Sequence, residues 1–170
     1  MPRDLHQAVG FLLGIALAFW LSPLRIQASG PGVPDPQLAP LEAELLRQVN
    51  DVRSQRHLRP LQRSEALDAV ARAHSRDMAA RGYIAHESPE GANAVDRLTQ
   101  ARLDGFTLAA ENIGATSRAQ PNREIVSGWV RSPIHARNLF SPVFNATGIG
   151  IARTSDGTLL YTQVYVTYPR

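Results

Sequence analysis

The chain has neither cysteine nor lysine. The first absence rules out disulfides, thiol nucleophiles and thiolate metal sites, so packing and hydrogen bonding alone must hold the fold. The second makes all 18 basic residues arginines, and against 15 acids they leave a net charge of +3. Removing the first 28 residues would take away Arg3, Arg25 and Asp4 and leave +2. The arginines are scattered and interleaved with acids, which speaks against a nucleic-acid footprint. No internal repeat or low-complexity tract occurs, and no apolar run reaches the roughly 20 residues that a comfortable membrane span needs. What remains is 170 residues of ordinary globular composition. That is enough for one domain with a real core, since about 150 residues bury roughly 68–70% of their unfolded surface.

The longest apolar run is residues 8–21, AVGFLLGIALAFWL. Arg3 precedes it, and Ile26-Gln27-Ala28 stands before Ser29. A short charged start, an apolar middle and a small-residue end make a secretory signal peptide over 1–28, with cleavage near Ala28. The alternative is an uncleaved N-terminal membrane anchor; cleavage would leave no transmembrane domain in the mature protein. Either places the domain outside the cytoplasm, secreted or in the periplasm or cell envelope. Residues 29–40 carry four prolines and two glycines and read as a flexible lead-in.

From Leu41 to Arg56, apolar residues at Leu41, Leu45, Leu46, Val49 and Val52 fall at helical spacing, with Pro40 as the start. Leu58-Arg59-Pro60-Leu61 is a short connector. Ser64 caps a second helix to about Arg81, whose stripe is Leu67, Val70, Ala71, His74 and Met78, and Gly82 ends it. His74, on that stripe, reads as a structural histidine. Asn93 with Asp96 three residues on marks a further helix start. Thr107 to Gly114 shows no clear period. Pro121 to Val130 reads as a helix burying Ile125, Val126 and Trp129. Ser132-Pro133 starts another, the serine hydroxyl capping its free N–H groups. His135 then lies in the first turn, where the helix dipole disfavours a protonated imidazole. Residues 147–153 and 158–168 are β-rich, and Asp156-Gly157 between them signals a hairpin. Helices with an antiparallel sheet define an α+β domain.

Five ordered segments carry a resemblance: LLRQVNDVRSQRHLRPLQRSEAL (45–67), ARAHSRDMAARGYIAHESPEG (71–91), AENIG (110–114), GWVRSPIHARNLF (128–140) and GIGIA (148–152). Together they resemble the CAP superfamily, also called the SCP or cysteine-rich secretory, antigen 5 and pathogenesis-related-1 domain, in its cysteine-free bacterial branch. The resemblance spans residues 41–170 as one CAP/SCP domain and implies a three-layer α-β-α sandwich with a central antiparallel sheet. It also implies a cleft lined by two histidines and two acids. Three of these positions match, at His86, Glu111 and His135. The family's second glutamate, three residues before the second histidine, is Ser132 here. Glu124, about two turns upstream, is an acid that nothing local places in the cleft. The cleft set is therefore His86, Glu111, His135, Asn112 and Ser132.

Two imidazoles and a carboxylate are enough for zinc with an open fourth position, which makes His86 and His135 metal candidates and Glu111 a third. They are equally enough for a metal-free polar cluster, or for acid–base chemistry between a histidine and Glu111. No cofactor is required; zinc or another divalent cation is the candidate. Ser88 and Ser132 both precede proline, where capping explains them better than nucleophilic catalysis does. The leading expectation is a binding module rather than an enzyme, taking a divalent metal or a lipid, sterol or envelope ligand, with no nucleic-acid partner. The alternatives are a metal-assisted hydrolase of peptide or envelope material using Glu111, His86 and His135, and a ligand-free interaction domain.

Overall fold

Ser64 and Gly82 bound the longest helix as the local signals dictate. The computed structural model describes residue 30 and residues 32–169, and the apolar N-terminal run with its cleavage point lies outside the described residues. Helix α2 spans Glu65–Arg81; the Ser64 hydroxyl accepts from the Leu67 N–H at 3.5 Å, and Gly82 closes the helix at φ +71°. Before it come α1 (Ala39–Ser54), with Pro40 in its first turn, and the two-residue strand β1 (Gln62–Arg63). After it come α3 (Ala94–Gln100), β2 (Leu108–Thr116), α4 (Pro121–Arg131), α5 (Pro133–Leu139), β3 (Ala146–Arg153) and β4 (Leu159–Thr167).

The strands form one sheet in the order β1-β3-β4-β2. β3 and β4 are the expected hairpin, turned by Gly157 at φ +89°. The Asp156 carboxylate accepts the Thr158 N–H at 3.1 Å inside that turn. β2 runs antiparallel along β4, from Leu108 opposite Thr167 to Thr116 opposite Leu159. β1 adds a parallel edge, Gln62 opposite Ala146, so the otherwise antiparallel sheet has one short parallel pairing.

Three layers result. Leu67, Val70 and Ala71 of α2 and Leu98 of α3 pack with Ala146, Val164 and Val166 on one face. Leu45 and Val49 of α1, Ile125 and Trp129 of α4 and Leu139 of α5 pack with Ile149, Ile151, Tyr161 and Tyr165 on the other. Each fully buried leucine or methionine here contributes about 1.5–3 kcal/mol of hydrophobic stabilisation. The glycines of GIGIA let α2 lie directly on the sheet. A Cβ at Gly148 would sit 2.1 Å from the Leu67 carbonyl carbon, and one at Gly150 would sit 2.1 Å from the Arg72 nitrogen.

Side chains blunt both sheet edges, which otherwise expose unpaired backbone groups. Where β1 stops, the Asp68 carboxylate accepts the Ile149 N–H at 2.7 Å. Along β2, Trp129 Nε1 donates to the Ile113 carbonyl at 2.9 Å and Asn138 Nδ2 to the Glu111 carbonyl at 3.1 Å.

Candidate functional site

β2 carries Glu111 and Asn112 side by side, and strand alternation sends them to opposite faces. Glu111 turns towards α2 and α3. Its Oε1 accepts from His86 Nδ1 at 2.9 Å, and its Oε2 accepts from Arg97 Nη2 at 2.6 Å. Only 3% of the Glu111 side chain is exposed, whereas half of the His86 side chain faces solvent. His74 lies behind, its Nε2 3.9 Å from Glu111 Oε1 and 3.0 Å from the Ala85 carbonyl. A carbonyl only accepts, so this histidine carries its proton on Nε2 and is a packed structural residue, as its place on the α2 stripe predicts.

Asn112 turns towards α5 and is fully buried. Its Nδ2 donates to the His135 carbonyl at 3.1 Å and to the Tyr165 hydroxyl at 3.1 Å, and its Oδ1 accepts from Asn138 at 3.0 Å. Tyr165 donates to Gln163 at 2.7 Å, and Gln163 donates to Thr147 at 3.1 Å. The chain of polar groups is buried and partnered throughout, which makes it a stiff support. Burial pushes the Tyr165 phenol up, so it stays neutral within the chain.

His86 and His135 flank β2, the edge strand of the sheet, His86 bonded to the Glu111 side chain and His135 through its carbonyl to Asn112. The hydrogen bond to Glu111 holds His86 above the ordinary imidazole value, against burial and the nearby Arg97. Burial first, and the charge on His86 second, push His135 below it. The helix-start argument gives the same direction by another route, but α5 is only seven residues long.

The remaining expected groups stand apart. Ser132 occupies the N-cap position of α5 without a side-chain capping bond, contrary to the hydroxyl cap read from sequence. Pro133 supplies no N–H and fixes the first helical φ, which leaves the hydroxyl dispensable as a cap. The Ser88 hydroxyl accepts from the Ala92 N–H at 3.3 Å, inside its own turn. Glu124 is exposed on α4, and among the described residues no hydrogen bond or ion pair joins it to the cluster. Among the described residues, no three His, Asp or Glu side chains are arranged to hold a metal ion.

Arg97 is the functional neighbour that sequence reasoning missed. Beyond Glu111, its guanidinium donates to the His86 carbonyl from Nη1 and Nη2 at 3.1 and 3.2 Å, and to the Ala92 carbonyl at 2.8 Å. The only local signal was the Asn93–Asp96 capping box, which fixes the start of α3 and hence the position of Arg97. A groove of about 470 Å³ runs between α2, α3 and the turn at 88–92, with Ala69, Ala73, Ala92 and Ala101 among its lining. His74 and Arg97 also line it, whereas His86, Glu111 and His135 do not.

A layered α-β-α domain, with an edge strand whose Glu111 bonds to His86 on one face and whose Asn112 bonds to the His135 carbonyl on the other, defines the class of fold. The chain belongs to the CAP, or cysteine-rich secretory protein, family, whose sequence pattern matches residues 46–167. It is 30% identical over 125 residues to the uncharacterised Bacillus subtilis protein YkwD, a match that covers 74% of this chain but only 46% of that protein. The chain thus spans about half the length of that curated relative. Its fold is similar to that of an extracellular SCP-domain protein from Bacillus anthracis, at 31% identity and a TM-score of 0.64 over 82% of this chain and 45% of that one. It is also similar to an outer surface protein from Borrelia burgdorferi, at 17% identity and a TM-score of 0.69 over 81% and 97% of the two chains. The last likeness concerns the fold alone.

Proposed function

We propose that this CAP domain is a secreted or envelope-exposed binding module whose ligand meets the His86 and His135 imidazoles beside the edge strand β2. The observation that carries the reading is the commitment of Glu111. With Oε1 held by His86 and Oε2 by Arg97, the carboxylate braces the site instead of reaching outward. Among the described residues, neither imidazole has a serine or threonine hydroxyl hydrogen-bonded to it, so no hydroxyl nucleophile is activated there. An oriented, half-exposed imidazole, with His135 on the other side of the same strand, suits a divalent cation held by histidine nitrogen and water, or the polar head of a lipid-like ligand. Export is supported by the apolar N-terminal run and by the extracellular relative from Bacillus anthracis. Equilibrium dialysis against zinc tests the metal arm. The wild-type protein should take up zinc and the His86→Ala/His135→Ala variant should not; equal uptake by the two removes it.

A further inference from the structure

We propose that Arg97 is a positioning residue that commits Glu111 to His86 and thereby sets which nitrogen of His86 the site presents. The proposal deepens the reading of the His86–His135 pair as the ligand-contacting site and rests on it. Arg97 grips this histidine twice, once through the carboxylate on its ring and once through its own backbone carbonyl. A third bond, to Ala92, ties the grip to the turn that leads into α3. The planar fork of an arginine reaches these acceptors together from fixed positions. The arrangement leaves Arg97 Nε buried with no hydrogen-bond partner among the described residues. Buried donors are rarely left so, and here the terminal nitrogens aimed at Glu111 and His86 account for the placement.

The consequence is a fixed tautomer. An ionised carboxylate only accepts, so the 2.9 Å contact puts the His86 proton on Nδ1 and turns the Nε2 lone pair outward. Arg97 lies 2.6 Å from the other oxygen of Glu111 and holds the carboxylate in the orientation that meets His86. Without that contact the carboxylate would turn away from the ring, which would revert to the Nε2–H form that free histidine side chains prefer.

Nitrogen-15 NMR of the imidazole rings in the ligand-free protein, above the pH range of imidazole protonation, reads the tautomer directly. In wild type, His86 should be protonated on Nδ1 and His74 on Nε2. Arg97→Gln should move His86 to a majority Nε2–H form while His74, held by the Ala85 carbonyl, stays unchanged. Arg97→Lys, which keeps the charge, should restore most of the wild-type signature. A purely structural role would leave the His86 tautomer untouched in any variant that still folds, and that result would overturn the proposal. If Arg97→Gln does not fold, Arg97→Met is read in its place with the same two outcomes, and an Nε2–H form of His86 in wild type overturns the proposal in either case. No ligand enters the measurement, so its failure is distinct from failure of the zinc experiment.

Discussion

His74 and His86 lie within reach of the same oxygen of Glu111, yet solvent separates their behaviour. His74 is buried, and desolvation, against the attraction of Glu111, pushes its proton affinity down. His86 is half exposed, so its hydrogen bond to Glu111 outweighs burial and its affinity rises. A lowered folded-state value makes folding more favourable above the unfolded value of about 6.5, and that contribution is lost as the pH falls. His74 and His135 therefore destabilise the protein on acidification. A raised value works the other way, so the contribution of His86 is full below about 6.5 and lost as the pH climbs through its folded value. Solvent screening keeps the His86 effect small. Melting temperatures measured between about pH 7 and pH 5 should fall less steeply in His74→Gln than in wild type, and more steeply in His86→Gln. Parallel curves for all three proteins would show that none of these contacts distinguishes the folded state.

At the scale of elements, two glycines decide how close a helix can come to the sheet. Gly148 and Gly150 face the α2 backbone, which cannot yield as a flexible side chain would. Replacing either by alanine should cost about 3 kcal/mol or more, at the upper end of overpacking effects. Gly128, inside α4, has open space within 4 Å of where a Cβ would stand, so Gly128→Ala should instead stabilise by about 0.5–1 kcal/mol. Urea denaturation of the three variants checks both signs. The same contrast explains what could be read from the sequence. Helix α2 was legible because Ser64, its apolar stripe and Gly82 are local signals, and the hairpin was legible because Asp156-Gly157 lies between two β-rich runs. β2 was not, because it buries Glu111 on one face and Asn112 on the other, which erases the apolar alternation of a strand. Its glutamate was found through resemblance. Arg97 was invisible because its partners lie eleven and fourteen residues away and only the packed α3 brings it to them. Ser132 misled, since serine before proline signals a cap whether or not the hydroxyl forms one.

Across the whole molecule, the layers are clasped at both edges of the sheet by polar groups, in a chain that has no cysteine for disulfides. At the β2 edge the clasp is the candidate site. At the β1 edge it is a buried ion cluster that joins α1 on one face to α2 on the other. Arg72 donates to Glu42 at 2.6 Å, and Arg63 reaches both Glu42 at 3.1 Å and Asp68 at 2.7 Å. Both carboxylates are 1% exposed and take their partners from these arginines instead of from water. Taking away one member leaves an uncompensated buried charge, whereas taking away an opposite pair keeps the cluster neutral. Arg72→Met alone should therefore cost about 3–5 kcal/mol, within the range for breaking buried ion pairs. The double variant Arg72→Met/Glu42→Leu should lose less than the single one, because Arg63 and Asp68 still pair. Chemical denaturation of wild type, both single variants and the double variant closes the cycle. Additive losses would mean that the two groups act independently and that apolar packing alone joins α1 to α2.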